Sequence, residues 1–287
     1  MGYLMDLINI NEVLHFLLPT DKILSVSQVK DTKLNKVYNV FDIQTEKCRY
    51  IMKKNSDYDE LNVYQKFSKD VNFRIPYLIN YRVMDNDVWL LLSHSGDQDI
   101  RGFHMDKVTS QVAGAIAEIH LFYFNTQIKS YGYYQDILKV VPAKYKEIYK
   151  YFLRKIALTP WTLIHNDLLP INILTDFKTV TIIDWEPKYG PYFLDIARLI
   201  AHRDNEGVKY MPNDFVFGFI DDYYPLVMET YNIEYSVYKK DVLLGIVFEY
   251  IQVLKNYWRV QEFDSIYDLY IIDLEEAIQS FYISSEL

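Results

Sequence analysis

Residues 163–199 carry oxygen-bearing side chains at close spacing. His165, Asp167 and Asn172 fall in His165-Asn166-Asp167-Leu168-Leu169-Pro170-Ile171-Asn172, the spacing HxDLxxxN, and an apolar run then delivers Asp184 in Ile182-Ile183-Asp184-Trp185-Glu186. A carboxylate can orient a hydroxyl and accept its proton, and an oxygen-rich pair can hold Mg²⁺, which prefers hard oxygen ligands. Phosphoryl transfer makes these demands. A short loop joining Asp167 to Asn172, with a hairpin strand supplying Asp184, would place all three groups at one point. The plain reading makes them ordinary loop and cap residues, and His165 a buried loop anchor rather than a base.

The elements that would position these groups differ along the chain. Residues 23–26, 36–43 and 49–53 are short, β-prone and separated by polar turns, so they predict consecutive antiparallel strands. Leu61, Tyr64 and Phe67 have helical spacing within 58–69, and strand character returns at 75–83 and 88–92 around Asp85-Asn86-Asp87. Beyond Ser93-His94-Ser95-Gly96 long amphipathic helices follow, over 108–122, 212–231, 237–258 and 265–282, with apolar strands at 163–164 and 180–183 among them. The fold class expected is α+β and bilobal: a small antiparallel sheet lobe over 1–94 and a larger, mainly helical lobe over 95–287.

Composition excludes several alternatives. The 287 residues are 50% hydrophobic and 24% charged, with 9 Gly and 9 Pro, which describes a folded chain rather than a disordered or collagenous one. No apolar run approaches membrane-spanning length, and the first residues carry no basic region or cleavage site, so a soluble, cytoplasmic protein is expected. The lone Cys48 excludes an internal disulfide and reads as a strand residue. The other histidines, His15, His94, His104 and His202, show no metal spacing. A net charge of −9 argues against a nucleic-acid partner. The charge is uneven, since residues 204–287 hold 16 acidic and 5 basic side chains. That third is either a solvated surface or a region that attracts cations.

The HxDLxxxN segment with its following Asp184 resembles the catalytic and metal-binding segments of the protein-kinase-like fold. Asn166 stands where protein kinases carry Arg, no Ala-Pro-Glu follows, and Asp195 comes 11 residues after Asp184, which leaves no room for an activation segment. The pattern is therefore similar to the aminoglycoside phosphotransferase and choline kinase superfamily, whose members phosphorylate small molecules. The resemblance implies that Asp167 is the catalytic base and that Asn172 and Asp184 hold Mg²⁺. It makes Asp195, in Phe193-Leu194-Asp195-Ile196-Ala197-Arg198, an anchor of the catalytic loop, with His165 as structural support. Asp195 also reads plainly as a carboxylate favourable to a helix N-terminus. Upstream, Tyr50-Ile51-Met52-Lys53 resembles the strand whose lysine holds the α and β phosphates, and Glu60 its ion-pair partner. Lys54 is the rival; alternation puts Lys53 on the face of Ile51, and an exposed strand lysine is the plain alternative. Residues 27–38 occupy the position of the nucleotide loop without any glycine, so basic side chains would replace a backbone cradle. Ser93, His94 and Ser95 resemble the hinge that pairs with the nucleotide base, or a simple strand exit. His120, ending a helix, reads as a packing or loop-supporting residue.

The resemblance implies a kinase using Mg²⁺ and ATP or GTP to phosphorylate a hydroxyl of a small molecule. The acidic last third points to a cationic, aminoglycoside-like substrate, with Glu186, Glu262, Asp264 and Asp268 as candidate contacts. Trp185, Tyr257 and Trp258 keep a choline- or ethanolamine-type cage open beside core packing. A neutral-sugar or metabolic kinase and a non-catalytic nucleotide-binding module are the other readings. No nucleic acid or membrane partner is expected, and the chain should be a monomer or dimer.

Overall fold

The computed structural model describes residues 2–31, 36–70, 73–84, 86–101, 106–176, 178–260 and 265–286. The chain forms two compact units, Met1–Asp97 with Thr181–Asp184, and Gln98–Val180 with Trp185–Leu287. The short segment that returns to the first unit is tied there by the Ile182 N–H, which donates to the Arg74 carbonyl at 2.8 Å.

The first unit is an antiparallel sheet of five strands in the order β1-β2-β3-β5-β4. These are β1 (Ile23–Asp31), β2 (Lys36–Thr45), β3 (Arg49–Asn55), β4 (Leu78–Met84) and β5 (Asp87–Ser93). Their Val, Ile and Tyr content suits a pleated, half-buried surface. One face is covered by α1 (Gly2–Leu17), a helix for which the sequence offered no cap or strong apolar stripe. Val13, Leu14 and Leu17 of α1 pack with Phe41, Ile43, Met52, Trp89 and Leu91 of the sheet. Burial of each such side chain contributes about 1.5–3 kcal/mol before chain entropy is set against it. Asn80 Nδ2 donates to the Leu17 carbonyl at 3.2 Å, and Arg82 pairs with Glu12 at 2.9 Å, fixing the helix over the edge strand. Because Lys53 alternates with Met52, it projects to the opposite face. There α2 (Asp59–Asp70) presents Glu60 in its first turn, above the buried Leu61, Tyr64 and Phe67.

The second unit is mainly helical. After β6 (Gln98–Asp99) come α3 (Asp106–Phe122), α4 (Gly132–Leu138), α5 (Lys146–Leu158), β7 (Trp161–Ile164) and β8 (Ile173–Thr175). The strand β9 (Val180–Ile182) leads into the returning segment, and β10 (Lys188–Pro191) then pairs antiparallel with β7. Four helices close the chain, α6 (Phe193–Ala201), α7 (Asn213–Tyr231), α8 (Tyr235–Val260) and α9 (Ser265–Glu286). Aromatic side chains dominate the core: Phe152 and Phe248 stack at 4.6 Å between centroids, and Tyr134, Tyr149, Trp161 and Phe193 surround them. Buried Tyr149 donates its hydroxyl to the Tyr134 carbonyl at 2.8 Å, and Trp161 its indole N–H to the Ile156 carbonyl at 2.7 Å, so the polar tips are satisfied. Helix α6 meets α8 at Gly245, where a Cβ would stand 2.7 Å from the Phe193 ring and 2.9 Å from Ala197 Cβ. Only glycine permits that approach. No described helix is long and apolar enough to cross a membrane.

Candidate active site

In the first unit, Lys53 lies between two carboxylates. Its Nζ pairs with Glu60 Oε2 at 2.7 Å and contacts Asp184 Oδ1 directly. Asn55 Nδ2 donates to the same Glu60 oxygen at 2.8 Å, holding the acid against β3. Burial works against the charge of Lys53, but Glu60 and Asp184 outweigh it and raise the ammonium above its ordinary range. Lys54, on the other face, instead pairs with Asp87 at 2.7 Å and lies over the Trp89 ring. Strand alternation thus separates the two lysines, and it is Lys53 that meets Glu60 and Asp184. Asp184 follows β9 at a φ of 60°, a left-handed conformation that Asp tolerates better than most residues.

The strand exit after β5 is turned inward on itself. Ser93 exchanges backbone hydrogen with Tyr77, donating to its carbonyl at 2.9 Å, and the Ser93 hydroxyl accepts the Tyr77 N–H at 2.9 Å. His94 Nε2 lies 3.2 Å from Asp97, and the Ser95 hydroxyl donates to the Ser93 carbonyl at 3.4 Å. Of the expected nucleotide loop, residues 32–35 lie outside the described residues. On its flanks Gln28 Nε2 donates to the Tyr38 carbonyl at 2.9 Å, and Lys36 lies over the Tyr38 ring.

In the second unit, the loop after β7 carries Asp167. Asn166 takes a φ of 69°, which turns the chain sharply and aims two successive N–H groups at one carboxylate. The His165 N–H donates to Asp195 Oδ2 at 2.7 Å and the Asn166 N–H to Asp195 Oδ1 at 3.2 Å. His120 Nε2 meets the same carboxylate at 3.1 Å, while its Nδ1 lies 2.7 Å from the Tyr223 hydroxyl. The buried Asp195, on the first turn of α6, therefore joins α3, α6, α7 and the loop. His165 stacks beside Trp185 at 4.4 Å between ring centroids, and its Nδ1 accepts the Asp167 N–H at 3.3 Å.

Asp167 is oriented from two sides. Asn172 Nδ2 donates to the Asp167 carbonyl at 2.8 Å and to its Oδ2 at 3.3 Å, which keeps the amide oxygen of Asn172 for another partner. Arg198 Nη2 donates to Asp167 Oδ1 at 2.9 Å. The other arm of that guanidinium holds Glu249 at 2.8 Å, and Glu249 meets His202 at 3.2 Å. Burial would raise Glu249, but Arg198 and His202 outweigh it and hold the carboxyl below its ordinary range. Arg198 and Glu249 were missed in the sequence. Arg198 is one helical turn after Asp195, on the same face of α6, and Glu249 is a single acid within the apolar run Val247-Phe248-Glu249-Tyr250-Ile251. Both were available signals.

The nominated substrate carboxylates are spread. Glu186 and Asp268 are exposed, and Glu262 and Asp264 lie outside the described residues. Trp185 is buried, Tyr257 stacks on Tyr267 at 4.8 Å, and Trp258 on Tyr145 at 5.8 Å, so these three aromatics pack against rings of their own chain. Among the described residues no three His, Cys, Asp or Glu side chains form a metal-holding group.

No protein-family model matches the chain, and no curated protein matches it in sequence. Solved structures share its fold. It superposes on the GDP complex of wild-type aminoglycoside 2'-phosphotransferase-IIIa with a TM-score of 0.59 at 14% identity, over 94% of this chain and 97% of that one. For the aminoglycoside phosphotransferase APH(4)-Ia the TM-score is 0.60 at 13% identity, over 94% and 98%. For an ethanolamine kinase of Plasmodium vivax it is 0.55 at 12% identity, over 91% and 83%. The chain has the protein-kinase-like fold that these structures share, with an antiparallel five-stranded unit and a mainly helical one.

Proposed function

We propose that the chain is a small-molecule kinase that transfers the γ-phosphoryl group of ATP or GTP to a hydroxyl of its acceptor. The observation that carries this reading is the Lys53 ammonium, seated between Glu60 of α2 and Asp184 at the end of an apolar strand. A lysine so held is placed to align nucleotide phosphates. Asp167 orients the acceptor hydroxyl and takes its proton, and Arg198 and Asn172 fix the carboxylate for that work. Asp184 in the first unit and the Asn172 amide oxygen in the second are each hard donors of the type Mg²⁺ selects. Mg²⁺ would offset charge on the transferring phosphoryl group. The GDP in the aminoglycoside 2'-phosphotransferase-IIIa complex supports a nucleotide as the donor.

A cationic, aminoglycoside-like acceptor is the second reading. It is favoured by the 16 acidic against 5 basic residues of 204–287 and by the exposed Glu186 and Asp268. Against it, the buried acids of that third are engaged within the chain: Glu249 by Arg198, Asp241 by Lys155 and Asp273 by Arg203.

The test is Mg²⁺-dependent release of nucleoside diphosphate from ATP and GTP, across aminoglycosides, choline, ethanolamine and neutral and acidic sugars. Release with one acceptor class is expected, and Asp167→Asn should lower kcat by about 10³-fold or more. Tight nucleotide binding without turnover on any acceptor would instead mark a non-catalytic module.

A further inference from the structure

We propose that Lys188, at the Tyr133 side of a small pocket in the second unit, binds an anionic group of the acceptor, a carboxylate or a phosphate, beside the loop that carries Asp167. The proposal rests on the kinase reading and names the class of its acceptor. The pocket is lined by Tyr133, Asn166, Lys188, Arg198, Glu249 and Gln252, among others. Asn166 immediately precedes Asp167, and Arg198, which also lines the pocket, donates to Asp167.

Lys188 opens β10, and the register with β7 sets it opposite Ile164, two residues before Asn166. Its Nζ lies 3.3 Å from the centroid of the Tyr133 ring and 5.4 Å from that of Tyr134. Among the described residues this ammonium has neither a hydrogen-bond acceptor nor a carboxylate partner, and it lies against ring faces. Lys255 approaches the same Tyr133 ring at 5.4 Å, and its Nζ donates to the Tyr133 hydroxyl at 3.3 Å. Two ammonium groups thus share one aromatic ring. Burial and the nearby Lys255 push Lys188 down to about 8.

The acids that face this pocket cannot neutralise it, because each is already engaged. Glu249 is held by Arg198 and His202. Asp195 accepts two backbone N–H groups and meets His120. A carboxylate or phosphate would give Lys188 the charge-assisted bonds its surroundings lack. An amine at the same point would meet two like charges, which disfavours a cationic acceptor there.

Two measurements on the full chain test this. Lysine side-chain NMR, with the Lys188 signal assigned by its loss in Lys188→Met, is followed with inorganic phosphate or acetate against sodium chloride at matched ionic strength. The titration of Lys188 near pH 8 should move upward with the oxyanion; a signal indifferent to both overturns the site. Turnover is then compared within matched pairs, glycerate with glycerol, and a sugar acid and a sugar phosphate with the parent sugar, alongside aminoglycosides. KM should be about tenfold lower for the anionic member, a difference lost in Lys188→Met and restored in Lys188→Arg. The pair with the larger difference distinguishes carboxylate from phosphate. If Lys188 responds to oxyanions but no acceptor supports nucleoside diphosphate release, the kinase reading falls and the anion site stands. Turnover confined to neutral or amine-bearing acceptors keeps the kinase reading and overturns the anionic acceptor.

Discussion

In the first unit the side chains of Lys53, Glu60 and Asp184 are 21%, 10% and 50% exposed, whereas in the second those of His120, Asp195 and Glu249 are 1%, 3% and 4% exposed. Both clusters are ionic, but they are built for different ends. The first is partly wet, its members have few other partners, and Asp184 can exchange Lys53 for another cation at small cost. The second is dry, and its groups satisfy one another across helices that are far apart in sequence. A buried network of that kind fixes a loop in one conformation, and it tolerates no missing member. The half-exposed carboxylate of Asp184 and the buried one of Asp195 thus serve different clusters of one chain.

The contrast can be broken at its strongest point by Asp195→Ala. Removal of this carboxylate strands two backbone N–H groups and His120, and a loss of about 3–5 kcal/mol is expected in urea unfolding. A loss below about 1 kcal/mol would show that the second cluster is no brace. Lys53→Met should do the reverse. Nucleotide turnover should fall about 10²-fold or more, while stability should fall by less than in Asp195→Ala, because Asp184 is half exposed and Asn55 still donates to Glu60. Equal destabilisation by the two variants would erase the distinction. Gly245→Ala probes the helix contact behind the second cluster. The added Cβ meets Phe193 and Ala197 at under 3 Å, and a cost of about 1–3 kcal/mol is expected in thermal unfolding; an unchanged Tm would mean that α6 and α8 can separate freely.

The smallest effect is a pH dependence. Glu249 has a folded carboxyl held below its ordinary value of 4.5, so its stabilisation is complete above that value and is lost as pH falls through the folded one. Stability of the native chain should therefore decline as pH drops below about 4.5, and the decline should be shallower in Glu249→Gln. Parallel slopes for the two proteins would remove Glu249 from the acid response.

Much of this was legible in the sequence because it is local. The β-prone runs of β2 to β5 and the helical spacing in α3, α7, α8 and α9 are short-range patterns, and HxDLxxxN is confined to one loop. The N-terminal helix α1 was not legible, since its fit to the sheet depends on Trp89 and Leu91, which come much later in the chain. Helix α5 and strand β10 were also missed; β10 is four residues long and gains its form from pairing with β7. Arg198 and Glu249 lie 51 residues apart, and nothing in local spacing announces that they pair beside Asp167. Their types in apolar surroundings were the trace they left.

The return of Thr181–Asp184 to the first unit has a consequence for modularity. The boundary between the units is crossed three times by the chain, so no single cut in the gene yields either unit whole. A fragment ended at Asp97 would lack the strand that covers the Arg74 carbonyl and the acid that faces Lys53. Exchange of first units between relatives, as interchangeable cassettes, would have to carry those four residues from a distant part of the reading frame. An exchange of the first unit must therefore move two separate segments of the chain.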